Sequence, residues 1–141
     1  MLIQKRSTKK KLNPGVWDVS VAGHIGYKED IKAAAIRETF EETGIHIKEK
    51  DLLKLGIYTS ESSHSKIIDR EFHHTYILKI DEVKINLNYK NDEVDDLKLI
   101  SLREMDLLLS QNNRDIFIGK NKNYYNDVFE AILKITRENY Q

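Results

Sequence analysis

GHIGYKEDIKAAAIRETFEETGI, residues 23–45, is the stretch on which the reading of this chain turns. Asp30 can cap a helix start and Gly44 can take the left-handed conformation that ends one, so the pattern predicts a helix over Asp30 to Thr43. Ala33, Ile36 and Phe40 recur at helical steps and make the expected core stripe. Glu38, Glu41 and Glu42 fall within roughly a 100° arc facing away from it. That arrangement is costly. The pairs 38/41 and 38/42 set like charges at i,i+3 and i,i+4, each unfavourable by roughly 0.2–0.5 kcal/mol, and anions near a helix C-terminus oppose its dipole by about 0.3–1 kcal/mol apiece. Arg37 can pair with Glu41 and relieve one charge, which leaves two. A hard divalent cation would offset the rest, because Mg²⁺ takes carboxylate oxygens together with waters and phosphate oxygens. A solvated acidic face is the competing reading of the charges alone.

Outward from this helix, Val16 to Val21 alternates apolar and polar residues, and Phe72 to Ile80 is rich in aromatic and β-branched ones, as strands are. Leu52 to Thr59 and Leu97 to Ile100 are shorter candidates. Ser101 and Glu104 form a capping box ahead of Met105, Leu107 and Leu108. A last helix is predicted from Tyr124 to Glu138, with Val128, Phe129, Ile132 and Ile135 on its apolar face. Loops are expected at Asn13 to Gly15, at Gly23 to Lys28 and across Ser60 to Asp69. Strands interleaved with helices point to an α/β or α+β sandwich.

The chain has 141 residues, 23 Lys plus Arg against 23 Asp plus Glu, and no cysteine. Its length suits one domain over residues 1–141. Zero net charge gives no basic excess for a phosphate backbone or an anionic membrane, so neither nucleic acid nor membrane is an expected partner. Without cysteine there is no disulfide, thiolate nucleophile or Cys-based metal site. The N-terminus carries no apolar segment of signal-peptide type, and a cytoplasmic location is expected.

The spacing Gly23, Glu29, Arg37-Glu38, Glu41-Glu42, Gly44-Ile45 matches the Nudix box, G-x5-E-x7-R-E-U-x-E-E-x-G-U, with U a bulky aliphatic. All seven fixed letters are present, and at ~7% usage per position chance gives this roughly once in 10⁶ such chains. Thr39 stands where the first U is usual. The chain therefore resembles the Nudix hydrolase family. Beyond the box, residues 2–7, Pro14 to His24, Arg70-Glu71-Phe72 and Glu93-Val94 leading to Leu102 look most like its isopentenyl diphosphate isomerase-like branch. The isomerases place a catalytic cysteine in the stretch held here by Val21-Ala22-Gly23-His24, so the isomerase reaction is not expected.

The resemblance implies an α/β/α sandwich around a central mixed sheet, and Mg²⁺- or Mn²⁺-dependent cleavage of a diphosphate in a nucleoside diphosphate linked to another moiety. A non-catalytic module binding a nucleotide or sugar diphosphate is the alternative. Glu38, Glu41 and Glu42 would hold metal, with Glu38 or a neighbouring carboxylate activating water and the Ala22 carbonyl as a further contact. Glu29 and Arg37 would pair to fix loop against helix, so Arg37 orients, while Gly23 and Gly44 serve backbone geometry. Glu93 would stand over the metals as a candidate base. Packing is the first reading for Trp17, Tyr124, Tyr125 and Phe129; His24 is read as a loop histidine, and Lys5 and Arg6 as a charged strand edge. His73 and His74 would point to opposite faces of their strand. Relatives of this branch carry another strand before the segment matching Leu2 to Ser7, and an unpaired edge there would favour a homodimer.

Overall fold

The computed structural model describes residues 1–11, 13–64, 67–110 and 122–138. Three strands, β1 (Leu2–Arg6), β2 (Trp17–Val19) and β5 (Val94–Leu99), form one sheet in the order β2-β1-β5. Strands β3 (Leu52–His64) and β4 (Ile67–Leu78) form a long hairpin. The helices are α1 (Ile31–Thr43), α2 (Leu102–Ser110) and α3 (Lys122–Glu138). The expected α+β class holds, and the sheet contributes two opposite faces because successive strand residues alternate. Leu2 packs with Ile45, Val94 and Leu97 on the α1 side, whereas Ile3 packs with Ile100, Met105, Tyr125 and Phe129 on the α2 and α3 side. Helix, sheet and helices thus stack as three layers.

Local signals set the helix ends as read. The Asp30 carboxylate accepts from the N–H groups of Lys32 and Ala33, both at 3.0 Å. Such a cap contributes about 1 kcal/mol. Gly44 has φ 71° and its N–H donates to Phe40 O at 2.8 Å. At the start of α2, Ser101 Oγ accepts from Glu104 N–H while the Glu104 carboxylate accepts from Ser101 N–H, completing the reciprocal box.

Four expectations are corrected. The apolar stripe of α1 is not its buried face: Phe40 is 43% exposed and Ala33 is exposed, while Ala34, Thr39, Glu42 and Thr43 are buried. Thr39 fits there because its hydroxyl donates to Ala35 O at 2.6 Å, as a threonine inside a helix can. Secondly, the stretch Ser60 to Asp69 lies largely in β3 and β4, apart from residues 65 and 66, which fall outside the described ones. It contains no Gly, Pro or Asn to break a ladder, and the Glu61 to Arg70 ion pair at 2.7 Å spans the strands. Thirdly, the ladders among the described residues are all antiparallel, so they do not supply the mixed character expected of the sheet. Finally, β1 pairs with β2 on one side and β5 on the other, so no open edge lies along β1 itself. No described helix is long and apolar enough to cross a membrane.

Candidate active site

Arg37 is the hub around which the acids of α1 are arranged. Its Nε donates to Glu29 Oε1 at 2.8 Å and its Nη2 to Glu29 Oε2 at 2.9 Å, a two-pronged pair. Its Nη1 donates to Glu38 Oε1 at 2.8 Å and to Glu41 Oε2 at 2.9 Å. Nη2 also reaches the carbonyl of His24 at 3.0 Å. One guanidinium therefore serves three carboxylates and ties the loop after Gly23 to the helix. The sequence reading allotted it only Glu41 among the helix acids; Glu38 is reached too because the planar fork presents donors in several directions. Glu29 answers with a bond from Gly26 N–H at 2.7 Å, and its carboxyl is held down to about 2 by Arg37 first and Gly26 second. Its bonds to Glu29 first and Glu38 second push the Arg37 guanidinium further above its ordinary range.

Gly23 is required where it stands. A Cβ there would lie 1.9 Å from Glu38 Cδ, so the loop backbone presses directly on the Glu38 carboxyl.

Glu42 has a different environment. It is 3% exposed, and Gln4 Nε2 at 2.6 Å and Ala22 N–H at 2.9 Å both donate to its Oε2. Burial pushes its carboxyl up to about 7, the two donors oppose that shift, and the charges of Glu38 and Glu93 add to it. Both donors take the same oxygen, which leaves the lone pairs of Oε1 for another partner. Glu93 stands on the loop before β5, its carboxylate 2.8 Å from Lys10 Nζ.

Three residues of this site escaped the sequence reading. Gln4 sits on β1 facing α1, where a polar residue in an alternating strand was the available signal. Tyr89 OH donates to the carbonyls of Phe40 and Glu41 at 3.3 and 3.2 Å, and Asn91 Nδ2 donates to Glu41 O at 2.5 Å. The Glu41 carbonyl is among those that a helix C-terminus leaves without an intrahelical partner, while the Phe40 carbonyl also accepts from Gly44 N–H. An Asn placed two residues before Glu93 is a local turn signal, but nothing local says that its amide reaches a distant helix. Trp17, Tyr125 and Phe129 belong to the α2 and α3 side of the core, as expected of packing residues. Tyr124 joins Tyr58, ring centroids 5.1 Å apart, and His73 at 6.3 Å. His73 Nε2 is 2.8 Å from Ser60 Oγ, and Glu71 beside it lies 3.7 Å from His24 Nε2. The inner face of the hairpin therefore runs from an aromatic cluster to the loop after Gly23.

Residues 1–118 match the family model described as the NUDIX domain. The chain belongs to the Nudix family. It is 36% identical over 117 residues to an uncharacterised Nudix hydrolase of Clostridium acetobutylicum, which covers 83% of this chain and 56% of that protein. It is 34% identical over 82 residues to Nudix hydrolase 3 of Arabidopsis thaliana, covering 57% of this chain and 11% of that protein. With isopentenyl-diphosphate Delta-isomerase 2 of Photorhabdus laumondii the identity is 33% over 118 residues, 83% of this chain and 63% of that protein. The chain thus spans less than two thirds of the length of each of these relatives.

Nudix hydrolases generally use divalent metal ions, and the donor set here fits one of hard, oxygen-loving character. Among the described residues no three His, Asp or Glu side chains stand close enough to cage an ion by themselves. Mg²⁺ does not need such a cage, since it is usually held by one or two carboxylates with waters and phosphate oxygens completing the shell. Glu42 offers a buried carboxylate with one uncommitted oxygen, and Glu38 and Glu41 lie one helical turn or less away on the same helix.

Proposed function

We propose that this Nudix domain is a Mg²⁺- or Mn²⁺-dependent hydrolase that cleaves the diphosphate of a nucleoside diphosphate linked to another moiety, with water attacking phosphorus. The observation that carries this reading is the convergence of the Gly23 loop on Glu38 while Arg37 binds Glu29, Glu38 and Glu41 and Glu42 lies buried behind them. A polyanionic substrate cannot approach such a group of acids unaided, and the chain has no net positive charge to compensate. Bound there, the divalent ion supplies neutralisation of the phosphate oxygens and a lowered pKa for water.

The residues of the chain supply position. Glu38, Glu41 and Glu42 would hold the ion, the Ala22 carbonyl would add a contact from the loop, and Glu93 would be a further acid offered by the loop before β5. Arg37 orients Glu38 and Glu41 by sharing one nitrogen between them, so neither carboxylate has to be desolvated alone before the ion enters. Gln4 and the Ala22 N–H fix the rotamer of Glu42 through one oxygen. Glu38, pressed on the loop backbone, or a neighbouring carboxylate such as Glu93 would take the proton of the attacking water. The non-reacting moiety would lie along the inner face of the hairpin. There Tyr58 and Tyr124 offer rings for a base, and Ser60 and His73 offer hydrogen bonds for a base or sugar, a surface better matched to a nucleoside than to an isoprenoid chain. Ala22 and Gly23 carry no thiol, which argues against isomerase chemistry.

The reading is tested with nucleoside diphosphate derivatives, dinucleotide polyphosphates and isoprenoid diphosphates, each with and without Mg²⁺ or Mn²⁺. Cleavage of a nucleoside diphosphate derivative only with metal is the expected result. No cleavage of any compound, or cleavage by Glu42→Gln at the wild-type rate, overturns it.

A further inference from the structure

The loop before β5 is joined to the end of α1 through Tyr89 and Asn91, and of these two Asn91 also holds the backbone at Glu93. Asn91 Nδ2 donates to the Glu41 carbonyl at 2.5 Å, while Asn91 Oδ1 accepts from Glu93 N–H at 2.8 Å and from Val94 N–H at 2.9 Å. The donor end grips the last turn of the helix that carries Glu38, Glu41 and Glu42. The acceptor end grips the backbone of Glu93 and Val94, and the charge of Glu93 acts on the Glu42 carboxyl. Tyr89 touches the same helix end but has no bond to Glu93. Its ring also lies within 2.8 Å of where a Cβ on Gly44 would stand, so the glycine serves to let this loop close on the helix. The two ends of the amide are chemically distinct, so Asn91 donates to a carbonyl with one and accepts from two N–H groups with the other.

We propose that Asn91 is a positioning residue that sets the distance between Glu93 and the α1 carboxylates, so that metal affinity depends on its amide. This rests on the reading of Glu93 as a carboxylate facing the metal. A group that orients a ligand typically controls 10- to 100-fold in metal affinity, and Asn91 would act on the metal only through Glu93. The two losses should therefore overlap rather than multiply, because each removes the same contribution.

The test is the Mn²⁺ affinity of the substrate-free protein, measured by calorimetry on Asn91→Ala, Glu93→Gln and the double variant. Each single variant is expected to bind about 10-fold more weakly, and the double variant no more weakly than the worse single one. Asn91→Ser keeps an oxygen for the Glu93 N–H but cannot reach the Glu41 carbonyl; it is expected to show the same loss and serves if Asn91→Ala does not fold. Tyr89→Phe, which removes two bonds to the helix end and none to Glu93, is expected to bind Mn²⁺ like wild type. Wild-type affinity in the Asn91 variants, losses that multiply to about 100-fold, or an equal loss in Tyr89→Phe each overturn the proposal. If Glu42→Gln also binds Mn²⁺ like wild type, the metal-centre reading itself has failed; if it binds weakly while the Asn91 variants do not, only the role of Asn91 falls.

Discussion

The two faces of the β2-β1-β5 sheet are built from neighbouring residues of the same strands, yet the α1 face mixes Gln4 and Glu42 with the apolar Leu2, Ile45, Val94 and Leu97, whereas the other face is apolar around Ile3. Toward α2 and α3 the sheet buries Ile3 against Ile100, Met105 and Phe129, an apolar layer that gains about 25 cal/mol per Å² of surface removed from water. Toward α1 it buries Gln4, and the helix answers with Glu42, Thr39 and Thr43. A carboxylate 3% exposed is a costly thing to bury, while Phe40 on the same helix is 43% exposed. The fold therefore draws apolar burial from both faces and sets a costly carboxylate, Glu42, into the α1 face. Such a placement is what a site built to receive a cation requires, because an acid already satisfied would have nothing to gain from one.

The largest effect separating the faces is expected at Glu42. Glu42→Gln keeps an oxygen for Gln4 and Ala22 but loses the charge. Its kcat/KM should fall about 10³-fold, a loss of the order of 4 kcal/mol of transition-state stabilisation. The metal-free protein should be at least as stable as wild type at pH 8, since a neutral amide needs no desolvated charge. Steady-state rates and urea unfolding on the same preparation check both halves; loss of stability together with activity would remove the distinction drawn between the faces. Met105→Ala, at a site 0% exposed, should do the reverse. It is expected to cost about 3 kcal/mol of stability while the rate per folded molecule stays within about twofold of wild type. Gly23→Ala comes next. The new Cβ would meet Glu38 Cδ at 1.9 Å and displace the carboxyl, for an expected fall of about 10²-fold in kcat with little change in the denaturation midpoint.

Much of this was legible in the sequence, for identifiable reasons. Asp30 and Gly44 act within a few residues of themselves, so the bounds of α1 could be read directly. The Glu29 to Arg37 pair is one loop-to-helix step and followed from the resemblance. The failures are equally specific. Periodicity assigned Ala33, Ile36 and Phe40 to the core, and the helix instead buries Ala34, Thr39, Glu42 and Thr43, because what decides is the partner across the layer boundary, for Glu42 Gln4 and Ala22. The serine-rich stretch from Ser60 looked like a loop because serine is a poor strand former in isolation, whereas cross-strand partners on β4 hold it extended. Asn91 was invisible for the same reason: its role depends on a carbonyl 50 residues away in sequence.

The smallest expected effect lies where the two faces meet, at Asp18 on the edge strand β2. It is the cross-strand neighbour of Gln4, is buried, and accepts from Tyr125 OH at 3.0 Å and Val19 N–H at 2.7 Å. Burial pushes its carboxyl above the ordinary value of 3.8, opposed by Val19, Tyr125, and the charges of Arg6 and His73. A carboxyl whose pKa is raised in the fold favours folding when neutral; that contribution is complete below the ordinary value and is lost as the pH rises through the folded one. Both hydrogen bonds end on Oδ1, so Asp18→Asn can keep them without a charge. The variant is expected to match wild type in urea unfolding near pH 3.5 and to exceed it at pH 8, with kcat unchanged. Equal gains at both pH values would mean that the charge of Asp18 carries no cost. A loss of kcat would mean that Asp18 belongs with Glu42 to the face that does chemistry, and the boundary between the two faces would move one strand outward.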